Sequence, residues 1–150
     1  MKPMLLAVCL LAACSSTQRL TYSSGFSFAN YDNVVFARSA TGGDLFGLDV
    51  EFGNLLAQFG MRVVGDKEFE TLEPEARART LFARVAFSAS SDRQLLSITF
   101  DDSTTGKTVA TVTQEAEGDM LDPDDRAETL DAISQVILEA LQRDKGLLVR

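Results

Sequence analysis

Residues 80–116 constrain the fold more strongly than any other part of the chain, because their apolar positions alternate. Apolar side chains occupy every second position over residues 81–89 and again over 96–100, and a third alternating run covers 108–116. A period of two residues is typical of strands that have one buried face and one solvated face. Short polar turns separate the three runs, so the sequence predicts an antiparallel meander with one wet face.

The segment 44–59 is predicted to be a helix. Its apolar positions recur three and four residues apart, and Asp44 is placed to cap its N-terminus. Gly47 and Gly53 lie inside this pattern, and glycine costs about 1 kcal/mol against alanine in a helix interior. The two glycines therefore indicate an irregular helix or a neighbour that packs close to its backbone.

A second helix follows the meander, and both of its ends carry the expected residues. Asp122 is a capping residue, Pro123 suits the first helical position, and apolar residues recur at helical spacing from Leu130 to Leu141. Gly146 is placed to end the helix.

The remaining segments complete the predicted order of elements, β-α-β-β-β-β-α. Strands are predicted over Asn33–Arg38 and Met61–Val64, and residues 65–78 are predicted to form a loop with a short helical turn. The fold class that follows is α+β. We expect a mixed, largely antiparallel five-stranded sheet with two helices packed on one of its faces.

The N-terminus has the layout of a secretory leader. Lys2 supplies a positive charge, residues 4–13 are almost wholly apolar, and Leu11-Ala12-Ala13-Cys14 closes the run. The apolar run is too short to span a bilayer. Because it ends at a cysteine, it resembles a bacterial lipoprotein signal, and this resemblance implies that Cys14 is acylated, for example with palmitate, and becomes the first mature residue. Ser15 then favours the outer membrane over the inner one.

This interpretation divides the chain into four parts. They are a signal peptide over residues 1–13, a flexible lipid-anchored tether over 14–25, a single α+β domain over 26–146 and a C-terminal tail over 147–150. The tether assignment depends on the Ser, Thr and Gly content of its residues. The chain has two cysteines, and because Cys9 leaves with the leader, no disulfide is expected.

Composition excludes several classes of function. The formal net charge is −8, so electrostatic binding to nucleic-acid phosphates is disfavoured and the acylated Cys14 is the expected membrane contact. The chain has no histidine, which removes Ser-His-Asp and Cys-His catalysis and most zinc sites. We therefore predict no catalytic residue, no metal and no cofactor.

Two motifs resemble ligand sites but are better explained as structure. Gly106-Lys107-Thr108 is similar to the end of a phosphate-binding loop, yet that motif requires a glycine where Asp101 stands and a helix where a strand is predicted. An acidic group near the last helix lacks the glycine and the closing glutamate of a calcium loop. Its charges suit the N-terminus of that helix instead, and its members are Asp119, Asp122, Asp124 and Asp125.

Three segments together resemble a family of uncharacterised bacterial lipoproteins. They are an aromatic-x-x-Tyr opening at Phe28-Ala29-Asn30-Tyr31, a helix-Gly-strand passage over residues 55–64, and a strand that ends in Asp before Thr-Gly-Lys over residues 98–107. The pattern is also similar to small α/β lipoproteins of envelope assemblies. This resemblance implies an envelope protein and supplies no catalytic residue.

We expect a non-enzymatic, lipid-anchored periplasmic module that binds an envelope protein and is accessory to envelope assembly or maintenance. Its expected partner surface is the wet face of the sheet around Thr111, Thr113 and Glu115. An alternative is a carrier of a small apolar ligand or lipid, with a cleft between the sheet and the first helix. A third hypothesis is a hydrolase that uses Asp101 or Asp102, although two acids in a surface hairpin turn are typical of simple solvation.

Overall fold

The computed structural model describes residues 18–36, 47–91, 93–116 and 118–146. Ten regular elements and one 3-10 helix, Phe28–Asn30, lie in these ranges. In chain order the regular elements are β1 (Gln18–Tyr22), β2 (Asn33–Phe36), α1 (Leu48–Gln58), β3 (Arg62–Val63), α2 (Asp66–Thr71), α3 (Pro74–Ala78), β4 (Thr80–Ala89), β5 (Gln94–Asp102), β6 (Thr108–Glu115) and α4 (Pro123–Asp144).

The described strands form one mixed sheet in the order β1-β6-β5-β4-β2-β3. The pairs β1–β6, β6–β5 and β5–β4 are antiparallel, whereas β2 runs parallel to both β4 and β3. The α+β class and the mixed sheet are confirmed, and so is the meander of β4, β5 and β6. The expected counts were too low, because the described residues contain six strands and four α-helices.

The additional strand is β1, which lies within the segment expected to be a flexible tether. Its residues pair with β6 in antiparallel register, from Gln18 opposite Gln114 to Tyr22 opposite Ala110. Leu20 and Tyr22 alternate with polar residues and pack against the core. A five-residue edge strand needs only two apolar side chains, so its pattern is too short to stand out beside a Ser- and Thr-rich sequence.

The main core lies between the sheet and the pair α1 and α4. Gly53 of α1 faces the sheet, and an added Cβ would lie 3.5 Å from side-chain atoms of Phe36 and of Val63, which is ordinary van der Waals contact. Gly53 therefore has side chains of the sheet as neighbours, but their distance does not require a glycine. The largest fully buried side chains of this core include Phe28, Phe52, Phe100, Leu56, Leu81, Leu96, Ile98, Ile133, Ile137 and Leu141.

Residues 65–78 were expected to form a loop with a short helical turn, and they form two short helices, α2 and α3. Helix α2 lies on the opposite face of the sheet. Phe69 of α2 packs edge-on against Phe82, with ring centroids 5.0 Å apart. In β4, Phe82 lies between Leu81 and Ala83 of the main core, so its side chain is on the opposite face. Val35 and Val64 are also buried but do not belong to that core. The two predicted helices, α1 and α4, pack on one face as expected, and the unpredicted α2 adds a contact on the other face. Helices of six and five residues are too short for a recognisable period.

The last helix, α4, begins as the sequence predicts. Asp122 accepts hydrogen bonds from the backbone N–H groups of Asp124 and Asp125, at 2.9 and 3.4 Å, and Pro123 is the first helical residue. Gly146 follows the helix with a φ of 69°. Within the described ranges, no helix combines the length and apolar character needed to cross a bilayer.

Candidate functional site

Several residues on which the sequence predictions depend lie outside the described residues. Cys14 is among them, together with the signal segment 1–13, the tail 147–150 and the capping residue Asp44. In the structure, Gly47 caps α1 with its backbone in the left-handed conformation, at a φ of 68°.

The candidate partner residues Thr111 and Thr113 lie in two neighbouring cross-strand rows. Thr111 is opposite Thr21 of β1 and Thr99 of β5. Thr113 is opposite Arg19 and Ser97 in the next row. Strand β6 is an interior strand of the sheet, so these side chains present a face and not an edge. We call this the open sheet face, defined by Arg19, Thr21, Ser97, Thr99, Thr111, Thr113 and Glu115.

Charged pairs border the open sheet face. Glu115 lies 3.7 Å from the guanidinium of Arg93, across the β5–β6 pair. On the other side, Asp101 lies 2.8 Å from Arg84 and accepts a hydrogen bond of 2.7 Å from the hydroxyl of Thr108. The face between them is lined by hydroxyl groups, so a partner bound there would meet hydrogen-bonding side chains of little bulk.

Tyr31 and Asp102 belong to two of the three segments that resemble the lipoprotein family, and their side chains are in contact. The Tyr31 hydroxyl donates a 3.0 Å hydrogen bond to Asp102 Oδ2. Asp102 Oδ1 accepts from the backbone N–H groups of Thr104 and Thr105 and from the Thr105 hydroxyl. The sequence contained both halves of this contact but gave no indication that they meet.

These contacts shift the pKa values of both side chains. Burial raises the pKa of Tyr31 to about 12, with further contributions from the hydrogen bond to Asp102 and from its charge. Burial also raises the pKa of Asp102, but hydrogen bonds from Thr105, Tyr31 and Thr104 outweigh it and hold that pKa below its usual value. At neutral pH the pair is therefore a neutral phenol that donates to a carboxylate.

The geometry does not support a catalytic pair at Asp101 and Asp102. Adjacent residues of a strand point to opposite faces, and the two carboxylates have different partners accordingly. Asp101 contacts Arg84 and Thr108, whereas Asp102 contacts Tyr31 and the turn that follows it. Each carboxylate thus stabilises its own part of the hairpin.

A cluster of aromatic rings ties the N-terminal segment to the end of α4. Phe26 contacts the rings of Tyr22, Phe28 and Tyr31 at centroid distances of 4.9–5.8 Å. Arg143 lies 5.3 Å from the centre of the Tyr22 ring and donates a hydrogen bond to its hydroxyl. The backbone N–H of Phe28 donates to Asp144 at 2.9 Å. These aromatic side chains are packed against one another and do not form an open cage.

The two motifs that resemble ligand sites have structural roles. Gly106 has a φ of 65° in the β5–β6 turn, and Thr108 begins a strand. Asp119 accepts a hydrogen bond from the backbone N–H of Leu121, and Asp125 accepts one from that of Asp119. Among the residues that the structure describes, no group of three or more His, Cys, Asp or Glu side chains has the arrangement to hold a metal ion.

A polar pocket, which the sequence predictions missed, lies where β6 ends beside the start of α4. It has a volume of about 110 Å³. Gln114 lines it with 2 % of its surface exposed, and Gln114 Oε1 has no hydrogen-bond partner within the described part of the chain. A glutamine at a core-facing position of β6, after Ala110 and Val112, was the available signal. The lining residues are Gln114, Glu115, Gly118, Asp125, Glu128, Thr129 and Ala132.

Comparison with known proteins finds similarity to solved structures alone. No protein-family model matches the chain, and no curated protein matches it. One similar structure is a single-residue variant of the PelC dodecamer from Paraburkholderia phytofirmans, at 23% identity and a TM-score of 0.49, covering 85% of this chain and 98% of that chain. Another is the PelC dodecamer from the same organism, at 20% identity and a TM-score of 0.48, covering 85% of this chain and 97% of that chain.

Proposed function

We propose that this chain is a non-enzymatic, lipid-anchored module of the bacterial periplasm that binds another envelope protein through the open sheet face. The anchor is the acylated Cys14, which attaches the module to the outer membrane. The bound protein is held near the membrane, and the module is accessory to the assembly or maintenance of the envelope. The proposal contains no chemical step.

The uneven cover of the sheet is the observation that supports this proposal. Phe69 of α2 packs against Phe82 at the β2–β4 end of one face, where Val35 and Val64 are also buried. At the other end, the rows of Thr111 and Thr113 carry short hydroxyl side chains, and Arg19 and Thr21 at the β1 edge are exposed. A polar surface of low bulk lets a partner backbone or side chain approach closely and form hydrogen bonds.

The structure around Gly53 does not support the alternative function as a lipid or small-ligand carrier. A carrier needs an open cleft between α1 and the sheet, and Gly53 is the residue of α1 with the smallest side chain on that side. Phe36 and Val63 lie in van der Waals contact distance of a Cβ at that position, so the space is occupied by side chains. Phe52 and Leu56 of the same helix are each 1 % exposed and are part of the core.

Crosslinking in intact cells tests the partner surface. A photoreactive residue at Thr113 should give an adduct with one envelope protein, and the same residue at Glu139, on the exposed side of α4, should not. Equal adducts from both positions, or none from Thr113, would contradict the proposed surface.

The anchor needs its own test, which is independent of any partner. We expect the mass of the mature N-terminus to show a diacyl or triacyl modification at Cys14. Cys14→Ser should release the protein from membrane vesicles while the crosslink from Thr113 in detergent extracts remains. A Cys14→Ser protein that sediments with vesicles as firmly as the original chain would remove the basis for the lipid anchor.

A further inference from the structure

We infer that the open sheet face binds an extended acidic segment of the partner protein, with one carboxylate held by Arg19 and another by Arg84. The inference rests on the proposed function and names the chemistry of the partner that this face would bind. Arg19 is opposite Thr113, at the β1 end of its row. Arg84 of β4 is opposite Thr99 and therefore stands at the other end of the Thr111 row.

Arg19 is the first group that selects an acidic partner. Its side chain is exposed, and no carboxylate in the described ranges forms an ion pair with it. Thr113 lies directly across from it on β6, and the Cβ atoms of such opposed residues are about 4.5–5.5 Å apart. The guanidinium and the neighbouring hydroxyl can therefore donate hydrogen bonds to the same carboxylate.

The hydroxyl groups between the two arginines are also available to a partner. Thr21 is exposed at the β1 edge, and the threonines of β5 and β6 are partly buried. A hydroxyl both donates and accepts, so these rows can form hydrogen bonds with the carboxylates and the backbone of a bound segment. Four of these hydroxyls form no hydrogen bond with any residue that the structure describes, namely those of Thr21, Thr99, Thr111 and Thr113.

Arg84 keeps donors for a second carboxylate although it already forms an ion pair. Its Nη2 atom lies 2.8 Å from Asp101, and a guanidinium has five N–H donors. The side chain of Arg84 is 57 % exposed, whereas that of Asp101 is 14 % exposed. The positive member of the pair is therefore the one that a partner meets.

The same asymmetry makes this face positive in an acidic chain. Arg93 is 66 % exposed beside Glu115, which is 26 % exposed. The face and its border thus present three guanidinium groups above two largely covered carboxylates, although the chain has a net charge of −8. The acidic residues of α2 lie at the β2–β4 end, where Glu68 pairs with Arg62. A negatively charged segment is therefore steered to the open sheet face and repelled elsewhere.

The separation of the two arginines selects the shape of the segment. Strands β1 and β4 are three strand spacings apart, which is about 14 Å at about 4.8 Å per spacing. In an extended segment, residues i and i+4 project to the same side and lie about 13 Å apart. A segment with acidic residues four positions apart can therefore reach both Arg19 and Arg84. The short side chains between them leave room for its backbone.

Titration of the full-chain, ¹⁵N-labelled protein in detergent with synthetic peptides tests this inference. The signals to follow are the side-chain Nε–H groups of Arg19 and Arg84 and the backbone amides of Thr111 and Thr113. We expect saturable shifts at all four residues with acetyl-Glu-Thr-Ala-Thr-Glu-amide. The isomer acetyl-Glu-Glu-Thr-Ala-Thr-amide should bind about tenfold more weakly, because it forms one charged hydrogen bond fewer. The uncharged acetyl-Gln-Thr-Ala-Thr-Gln-amide should give no saturable shift.

Matched substitutions separate the two arginines from general attraction to a cation. Arg19→Gln and Arg84→Gln should each weaken binding of the spaced acidic peptide about tenfold. Arg62→Gln removes the same charge from an exposed ion pair at the other edge of the sheet and should leave binding unchanged. Equal weakening by all three variants, equal affinity for the two acidic peptides, or the absence of saturation would overturn the inference.

The photoreactive residue at Thr113 distinguishes this inference from the proposed function. Arg19→Glu combined with Arg84→Glu should abolish the Thr113 adduct in cells, while the urea midpoint of the purified protein shows that the double variant is folded. An undiminished adduct would overturn the acidic chemistry of the partner and leave the partner surface intact. A missing adduct in the unaltered protein would contradict the proposed function, and this inference with it.

Discussion

Tyr31 and Asp102 lie 71 positions apart in the sequence, and one hydrogen bond of 3.0 Å joins their side chains. The bond links the chain just before β2 to the turn between β5 and β6. Tyr31 is 8 % exposed, so its hydroxyl needs a partner that replaces water. Asp102 is that partner, and the Thr104 and Thr105 amides keep the carboxylate ionised.

We predict that one of the two tyrosines of the protein titrates with a pKa of about 12. This is Tyr31, in which burial, the hydrogen bond to Asp102 and its charge all favour the neutral phenol. Asp102→Asn should lower this pKa but leave it above 10.0, because burial is the largest contribution. Phenolate absorbance as a function of pH measures both values, and Tyr31→Phe identifies the signal. A Tyr31 that ionises near 10.0 in the folded protein would contradict the geometry.

The same shifts determine how stability depends on pH. The folded chain keeps the Tyr31 proton at pH values at which the unfolded chain has lost it, since the pKa rises from 10.0 to about 12 on folding. This contribution to stability is complete below pH 10 and is lost as pH rises to about 12. Asp102 has the opposite sign: its pKa is lowered, so its contribution is present above the unfolded value and is lost as pH falls through the folded one.

At the scale of elements, α4 is the part of the fold in which local sequence and tertiary structure agree most closely. Its cap, its first proline and its terminal glycine all lie where the sequence placed them. Its apolar side packs on the sheet through Ile133, Ile137 and Leu141. Its C-terminal end also holds the N-terminal segment, through Asp144 and the backbone of Phe28.

Asp122→Ala should lower the free energy of unfolding by about 1 kcal/mol, the usual cost of a lost N-cap. The backbone N–H groups of Asp124 and Asp125 lose their acceptor, and the helix end loses a favourable negative charge. Urea unfolding measures the change. Asp131→Ala, at an exposed site in the same helix, removes the same charge and should change stability by less than about 0.5 kcal/mol. Equal effects of the two variants would show that charge, and not capping, is responsible.

The elements differ in how far the sequence could predict them, and length is the physical reason. The ten-residue strand β4 and the 22-residue helix α4 show several repeats of their period. The helices α2 and α3 have six and five residues, so each shows little more than one turn. Phe69 of α2 contacts Phe82. This tertiary interaction stabilises the helix, and no local sequence pattern contains it.

The candidate sites follow a similar division. Thr111 and Thr113 were assigned to the wet face from alternation alone, and the strand register places them in adjacent rows. The pocket at Gln114 was not predicted, because it needs the end of β6 and the start of α4 side by side. The sequence contains no local feature that indicates that these two chain ends lie close together in the fold.

At the scale of the whole molecule, β1 closes one side of the sheet. It pairs with β6 along its full length, and Leu20 and Tyr22 pack against the core. Without β1, strand β6 would become an edge strand with unpaired backbone groups. The folded unit therefore includes residue 18, and the aromatic contacts of Tyr22 with Phe26 and Arg143 lock the segment onto α4.

A chain that begins at residue 26 should be less stable than one that begins at residue 18, by about 3 kcal/mol. The difference combines the half-buried Leu20 and Tyr22 with the lost β1–β6 ladder. Urea unfolding compares the two chains, and light scattering should show self-association of the shorter one through its exposed β6 edge. Arg19→Ala in the longer chain keeps the ladder and should change stability by less than about 0.5 kcal/mol. If both chains unfolded at the same urea concentration, residues 18–25 would act as a tether in solution, because a strand that contributes nothing to stability does not belong to the cooperative unit.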